Sequence, residues 1–130
     1  MENLLAHDGS ATNIGIQSDA IDSNDFQQPV LMGDSHYFGD SGSITLFNVP
    51  PGEYEVYVYA YYPVSRHWRF IIGQQFRDIQ DNRTFFGGYE LGRNYVRFES
   101  VSPSSTGEIA ITIDGLSLEV NVNGIQIVAR

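Results

Sequence analysis

The stretch Glu53-Tyr-Glu-Val-Tyr-Val-Tyr-Ala-Tyr-Tyr-Pro63 places five tyrosines within nine positions. In an extended strand successive side chains point to opposite faces, so Tyr54, Val56, Val58, Ala60 and Tyr62 form one row. Glu55, Tyr57, Tyr59 and Tyr61 form the other. The first row reads as a sheet interior. The second lays three aromatic rings along the outer face, where they suit the apolar C–H face of a pyranose or the contact surface of another protein. The same rings could also pack across strands under the long 1–42 segment. Antiparallel pairing of the following WRFIIG run, through the 63–67 loop, would set Arg69 and Ile71 on the tyrosine face. A forked guanidinium beside phenols makes a credible platform for hydroxyl-rich ligands. Arg66 and His67 in that loop add hydrogen-bonding groups, and His36 and Tyr89 are candidates from other loops. Trp68 could stack on a ring as well, but its parity with Phe70 and Ile72 points to the core.

A second candidate chemistry lies in Asp19-Ala-Ile-Asp22-Ser-Asn24-Asp25, whose oxygens are the hard donors that calcium takes six to eight of. Asp19, Asp22 and Asp25 are the candidate ligands, with Asp34 and Asp40 of similar standing; solvated loop acids are the competing reading. The order of an EF-hand loop is absent. Asp114 precedes Gly115 and reads as a turn residue.

Other chemistries are excluded or unsupported. Cysteine and lysine are both absent, which removes disulfides, thiolate catalysis, Schiff bases and a P-loop. His7, His36 and His67 stand about 30 positions apart, without zinc-site spacing, and no GxSxG elbow occurs. No catalytic function is expected. The net charge of −9 is lopsided: residues 1–65 carry nine acids and no lysine or arginine, while 66–130 carry seven acids and seven arginines. An acidic surface repels phosphate, so neither nucleic acid nor an anionic membrane is an expected partner. The sequence has no apolar run near 18 residues, and its first ten residues lack the pattern of a secretory signal.

The elements that must position these residues are strands. No window shows a 3.6-residue period, and apolar alternation recurs at intervals of roughly ten residues between Gly, Pro, Ser and Asn turns. SITLFNV places Ile44, Leu46 and Asn48 on one row, and Pro50-Pro51-Gly52 turns the chain into the tyrosine strand. WRFIIG ends at Gly73, short strands follow near Gln75–Ile79 and Thr84–Phe86, and YVRFESV sets Val96 and Phe98 against Tyr95, Arg97 and Glu99. EIAITID points Ile109, Ile111 and Ile113 inward. In LEVNVNGIQIVAR the Asn123-Gly124 pair shifts the parity, which predicts a β-bulge. Residues 1–42 read as mostly irregular, with one or two short strands around Asn13–Gln17 and Val30–Met32. The whole, residues 1–130, is expected to be a single all-β domain, an antiparallel β-sandwich of the jelly-roll kind.

The phrases SGSITLFNVPPGEYEVYVYAYYP, YVRFESV with GEIAITID, and VNVNGIQIV together resemble galactose-binding-domain-like jelly-roll modules, the carbohydrate-binding-module-like domains of secreted bacterial proteins. The matching positions are Gly52, Tyr54, Val56, Val58, Asn123, Gly124, Ile125 and Ile127, all structural. The resemblance implies a noncatalytic, extracellular or cell-surface module that binds a glycan or polysaccharide, with a structural calcium in many members. The alternative is a subunit of a surface layer or filament that self-associates through edge strands, since no lysine guards them. A positioning domain of a larger secreted enzyme is a third reading.

Overall fold

Alternating sequence becomes strand along most of the chain. The computed structural model describes residues 2–5, 11–20, 22–24, 35–60, 67–80, 88–116 and 120–130, with only the backbone described at 2–5, 11, 22–24 and 35–37. The strands are β1 (Glu2–Leu5), β2 (Ala11–Ser18), β3 (Asp22–Asn24), β4 (Ser35–Phe38), β5 (Ser41–Phe47), β6 (Tyr54–Ala60), β7 (His67–Ile72), β8 (Gln75–Gln80), β9 (Tyr95–Val101), β10 (Ile109–Asp114) and β11 (Val120–Ala129). They form a six-stranded sheet, β1-β2-β5-β10-β7-β8, and a five-stranded sheet, β3-β4-β11-β6-β9. All neighbours in both sheets are antiparallel, and the two sheets make a jelly-roll sandwich.

The core is built from the inner rows. Val56, Val58 and Ala60 of β6 and Val96 and Phe98 of β9 meet Trp68 and Phe70 of β7 and Ile109, Ile111 and Ile113 of β10, all buried in one hydrophobic cluster. Trp68 is therefore a core residue. Tyr54 joins the cluster, and its hydroxyl reaches out to donate to the Pro50 carbonyl at 2.8 Å. Gly42 is required by close packing: a Cβ there would lie 2.3 Å from Phe38 Cδ1 and 2.9 Å from Asp19 Oδ1.

Three sequence expectations are revised. Asn48 does not continue the inner row of β5. Its backbone takes a positive φ of 59°, its side chain donates to the Asn13 carbonyl, and Val49 fills the buried position instead. Among the described residues, four strands, β1 to β4, lie within the first 42, because pairing with β5 and β11 supplies what their weak alternation lacks. Most consequential, β6 and β7 are not neighbours. They lie in opposite sheets, just as β5 and β6 do across the Pro50-Pro51-Gly52 turn.

The expected bulge is present in β11. Val122 pairs with Ala60 and Gly124 with Tyr59, so Asn123 is the extra residue. It lets Val120 and Val122 face inward before the bulge and Ile125 and Ile127 pack against the core after it. The expected strand near Thr84–Phe86, the run at Val30–Met32, and Tyr62 lie outside the described residues.

Candidate functional site

Register decides what shares the outer face of the five-stranded sheet. On β6 the outward row is Glu55, Tyr57 and Tyr59; directly opposite on β9 are Arg97 beside Tyr57 and Tyr95 beside Tyr59. On the other flank β11 sets Gln126 beside Tyr57 and Gly124 beside Tyr59. A glycine at that place puts no side chain against Tyr59. The 88–94 segment, which leads into β9, brings in a fourth ring, Tyr89.

The four rings make a corner. The planes of Tyr57, Tyr59 and Tyr95 lie within 36° of one another, and their centroids mark a triangle with sides of 6.5, 5.5 and 6.2 Å. Three near-parallel rings at the corners of a triangle make a compact aromatic patch, the floor, and not a single column. Tyr89 stands nearly perpendicular to it, at 78° to Tyr59 and 74° to Tyr95, with centroid distances of 5.4 and 6.5 Å. It is 48% exposed, while the floor rings are half-buried against each other.

Polar groups border the floor. The Tyr57 hydroxyl donates to Glu55 Oε2 at 2.9 Å, and the Tyr59 hydroxyl donates to Gln126 Oε1 at 3.0 Å. Arg97 bonds to Glu99 and also meets the Tyr57 hydroxyl. The bond to Glu55, then burial, raises the Tyr57 pKa above the ordinary phenol value; burial, then the neighbouring phenols, does the same for Tyr59. Both phenols therefore stay neutral in mild base. A floor of neutral rings edged by carboxylates, an amide and a guanidinium offers stacking to an apolar face and both donors and acceptors to hydroxyls.

The other sequence candidates divide. Tyr57 and Tyr59 are on the floor and Tyr89 forms its wall. His67 and Arg69 are not beside them: β7 belongs to the six-stranded sheet, so both side chains lie on the opposite outer face of the sandwich. Strand parity was readable in the sequence, but parity does not say which sheet a strand joins. On that far face Asp78 accepts from Arg69 Nε at 2.8 Å and Nη2 at 3.0 Å, with His67 Nε2 at 3.0 Å. The Arg69 guanidinium also sits 4.4 Å above the Phe76 ring. Arg69 first, and His67 after it, hold the Asp78 carboxyl down at about 2, against the opposing effect of burial. Tyr61 and Arg66 lie outside the described residues, and His36 is described only as backbone in β4.

The calcium candidates fare differently from one another. Asp19 Oδ1 accepts the Ser43 N–H at 2.8 Å, which ties the end of β2 to β5. Asp22 pairs through its backbone with Tyr37 in the other sheet, and Asp25 and Asp34 lie outside the described residues. Among the described residues no three acidic or histidine side chains converge on one point. Asp40 is exposed. Asp114 closes a turn as expected, its Oδ1 accepting the Leu116 N–H at 2.8 Å. Among the described residues no helix is long and apolar enough to cross a membrane.

Tyr95, Arg97 and Gln126 were not read from the sequence as site residues. Tyr95 and Arg97 share the outward parity of YVRFESV, but their place beside the tyrosine strand depends on the β6–β9 pairing.

No family model matches the chain, and no curated protein matches it. Among solved structures it is similar to the plant receptor-like kinase FER, at 16% identity and a TM-score of 0.56, over 99% of this chain and 39% of that one. The chain thus spans well under half of that protein, and at this identity the likeness is one of fold. TmCBM61 in complex with beta-1,4-galactotriose aligns more loosely, at 11% identity and a TM-score of 0.46 over 92% of this chain and 90% of that one. A family two carbohydrate esterase from Clostridium thermocellum in complex with cellohexaose aligns at 14% identity and 0.42, over 86% and 30%. The shared architecture is the antiparallel two-sheet jelly-roll sandwich that the sequence leads one to expect.

Proposed function

We propose that this chain is a noncatalytic glycan-binding module of an extracellular or cell-surface protein, and that the tyrosine floor on the five-stranded sheet holds the sugar. One observation carries the reading: three near-parallel tyrosine rings and a perpendicular fourth, bordered by Glu55, Arg97, Glu99 and Gln126, lie on the outer face of a finished sandwich. The core does not need them there. Stacked rings receive the C–H face of a pyranose, and the bordering groups receive its hydroxyls.

A glycan array, run once with calcium and once with a chelator, tests the reading. It also separates any contribution of the 19–25 aspartates, which would act on the framework and not on the floor. Tyr59→Ala, which removes the ring shared by every floor and wall contact except Tyr57–Tyr95 and Tyr89–Tyr95, is expected to cut affinity by at least about tenfold with an unchanged circular dichroism spectrum. Absence of binding to every glycan in both buffers overturns the proposal.

A further inference from the structure

The last strand of each sheet leaves an edge, and on one side of the sandwich the two edges, β8 and β9, face each other. Between them is a cleft of about 290 Å³ lined by Arg77, Asp78, Leu91, Gly92, Arg97 and Glu99. Resting on the reading of the tyrosine floor as a glycan platform, we propose that this cleft is a second subsite, which takes the next sugar unit of a neutral oligosaccharide.

Continuity is the first argument. Arg97 and Glu99 stand in the outward row of β9 that begins with Tyr95, and both also line the cleft, so the cleft begins where the floor ends. Its boundaries are the second. At one end Arg77 Nε donates to the Arg97 carbonyl at 3.1 Å and Gln75 Nε2 to the Glu99 carbonyl at 3.1 Å, which ties β8 to β9. Beyond the other end the Gln80 N–H donates to the Gly92 carbonyl at 2.9 Å, and the Gly92 N–H to the Tyr95 carbonyl at 2.8 Å.

The segment between the wall and the cleft is held from within. Asn94, only 1% exposed, accepts the Glu90 N–H at 2.8 Å through Oδ1 and donates to the Gly88 carbonyl at 3.0 Å through Nδ2. One buried amide therefore fixes the loop that carries both Tyr89 on the platform side and Leu91 on the cleft side. A cleft so held requires little ordering when a ligand enters.

The chemistry of the lining points to a neutral, hydroxyl-rich unit. The Gln80 N–H and the Phe76 carbonyl both point to the free edge of β8, so by strand alternation the N–H and C=O of Asp78 turn toward the cleft. A sugar hydroxyl, donor and acceptor at once, matches that pair. Leu91, 62% exposed, offers an apolar surface at the lip. Arg97 and Glu99 neutralise each other at the lip, and the Arg77 guanidinium is engaged by the Arg97 and Phe76 carbonyls and Gln75 Oε1, so the lining has little to select a uronate or an amine. The volume sits at the small end for ligand pockets, which fits one ring and not a chain.

Calorimetric titration with neutral β-1,4-linked gluco-, galacto-, xylo- and manno-oligosaccharides of one to four units tests the subsite. The bound series is expected to gain about tenfold in affinity, equivalent to ~1.4 kcal/mol, between one and two or three units and then to level off. Leu91→Ala and Leu91→Asp, at an exposed position outside the platform, are expected to erase that gain and leave the single-unit affinity in place. Tyr59→Ala is expected to lower affinity at every length. A wild-type affinity independent of length, or a gain that survives both cleft variants, overturns the second subsite alone. No binding at any length overturns it together with the platform.

Discussion

Asp78 shows how one side chain on the far face serves stability and not the platform. It accepts two hydrogen bonds from Arg69 and meets His67, and its carboxyl is held at about 2 against an ordinary value of 3.8. Because the folded-state pKa is depressed, the stabilisation is fully present above about pH 4 and is lost as pH falls through the folded value. Its size is at most about 2 kcal/mol, less what solvent screening removes. Thermal melts between pH 7 and pH 2 should therefore show a smaller acid-induced fall for Asp78→Asn than for the wild type. An equal fall in both would assign the acid sensitivity to other carboxylates. The sequence did not disclose this cluster, since Asp78 becomes the partner of Arg69 only through the β7–β8 register, set by the two-residue turn at Gly73.

At the scale of the element, β9 is an edge strand that has closed itself. Its outward carbonyls at Tyr95, Arg97 and Glu99 accept, in order, from the Gly92 N–H, Arg77 Nε and Gln75 Nε2. An unguarded edge invites pairing with another chain, and lysine is the usual guard; here an arginine and a glutamine from β8 occupy the ladder positions instead. The Arg77 guanidinium does more, lying 5.4 Å from the Phe98 ring centroid and donating to the Phe76 carbonyl. A Gln75→Ala, Arg77→Ala double variant should lose about 1–3 kcal/mol in denaturant melts. It should also show concentration-dependent association by light scattering beyond that of the wild type. Identical scattering from both would mean that these side chains do not protect the edge. The absence of lysine was legible in the sequence, but the substitutes were not, because Gln75 and Arg77 lie about 20 positions away from the carbonyls they cap.

The whole molecule is two sheets with one core between them and a different chemistry on each outside. Arg69→Ala should leave glycan affinity unchanged, and Tyr59→Ala and Asp78→Asn should add in stability, since the two faces are separated by a packed core with sheets spaced about 10 Å apart. A loss of affinity in Arg69→Ala would contradict the separation. This division also explains what could be read in advance. Trp68, Phe70 and Ile72, and likewise Ile109, Ile111 and Ile113, declared their faces through alternation, as Asn123-Gly124 declared its bulge. Strand neighbours depend on contacts between distant residues, so the company of Tyr57 was mistaken: it is Arg97 and Gln126, not Arg69. The tyrosine strand carries a further consequence. Val56 and Val58 answer to the interior while Tyr57 and Tyr59, one step along, answer only to the outside. The outward positions of β6, β9 and β11 can therefore be rewritten as a set without touching a buried residue. The strand is a carrier on which ligand preference can drift, or be redesigned, while the fold stays as it is.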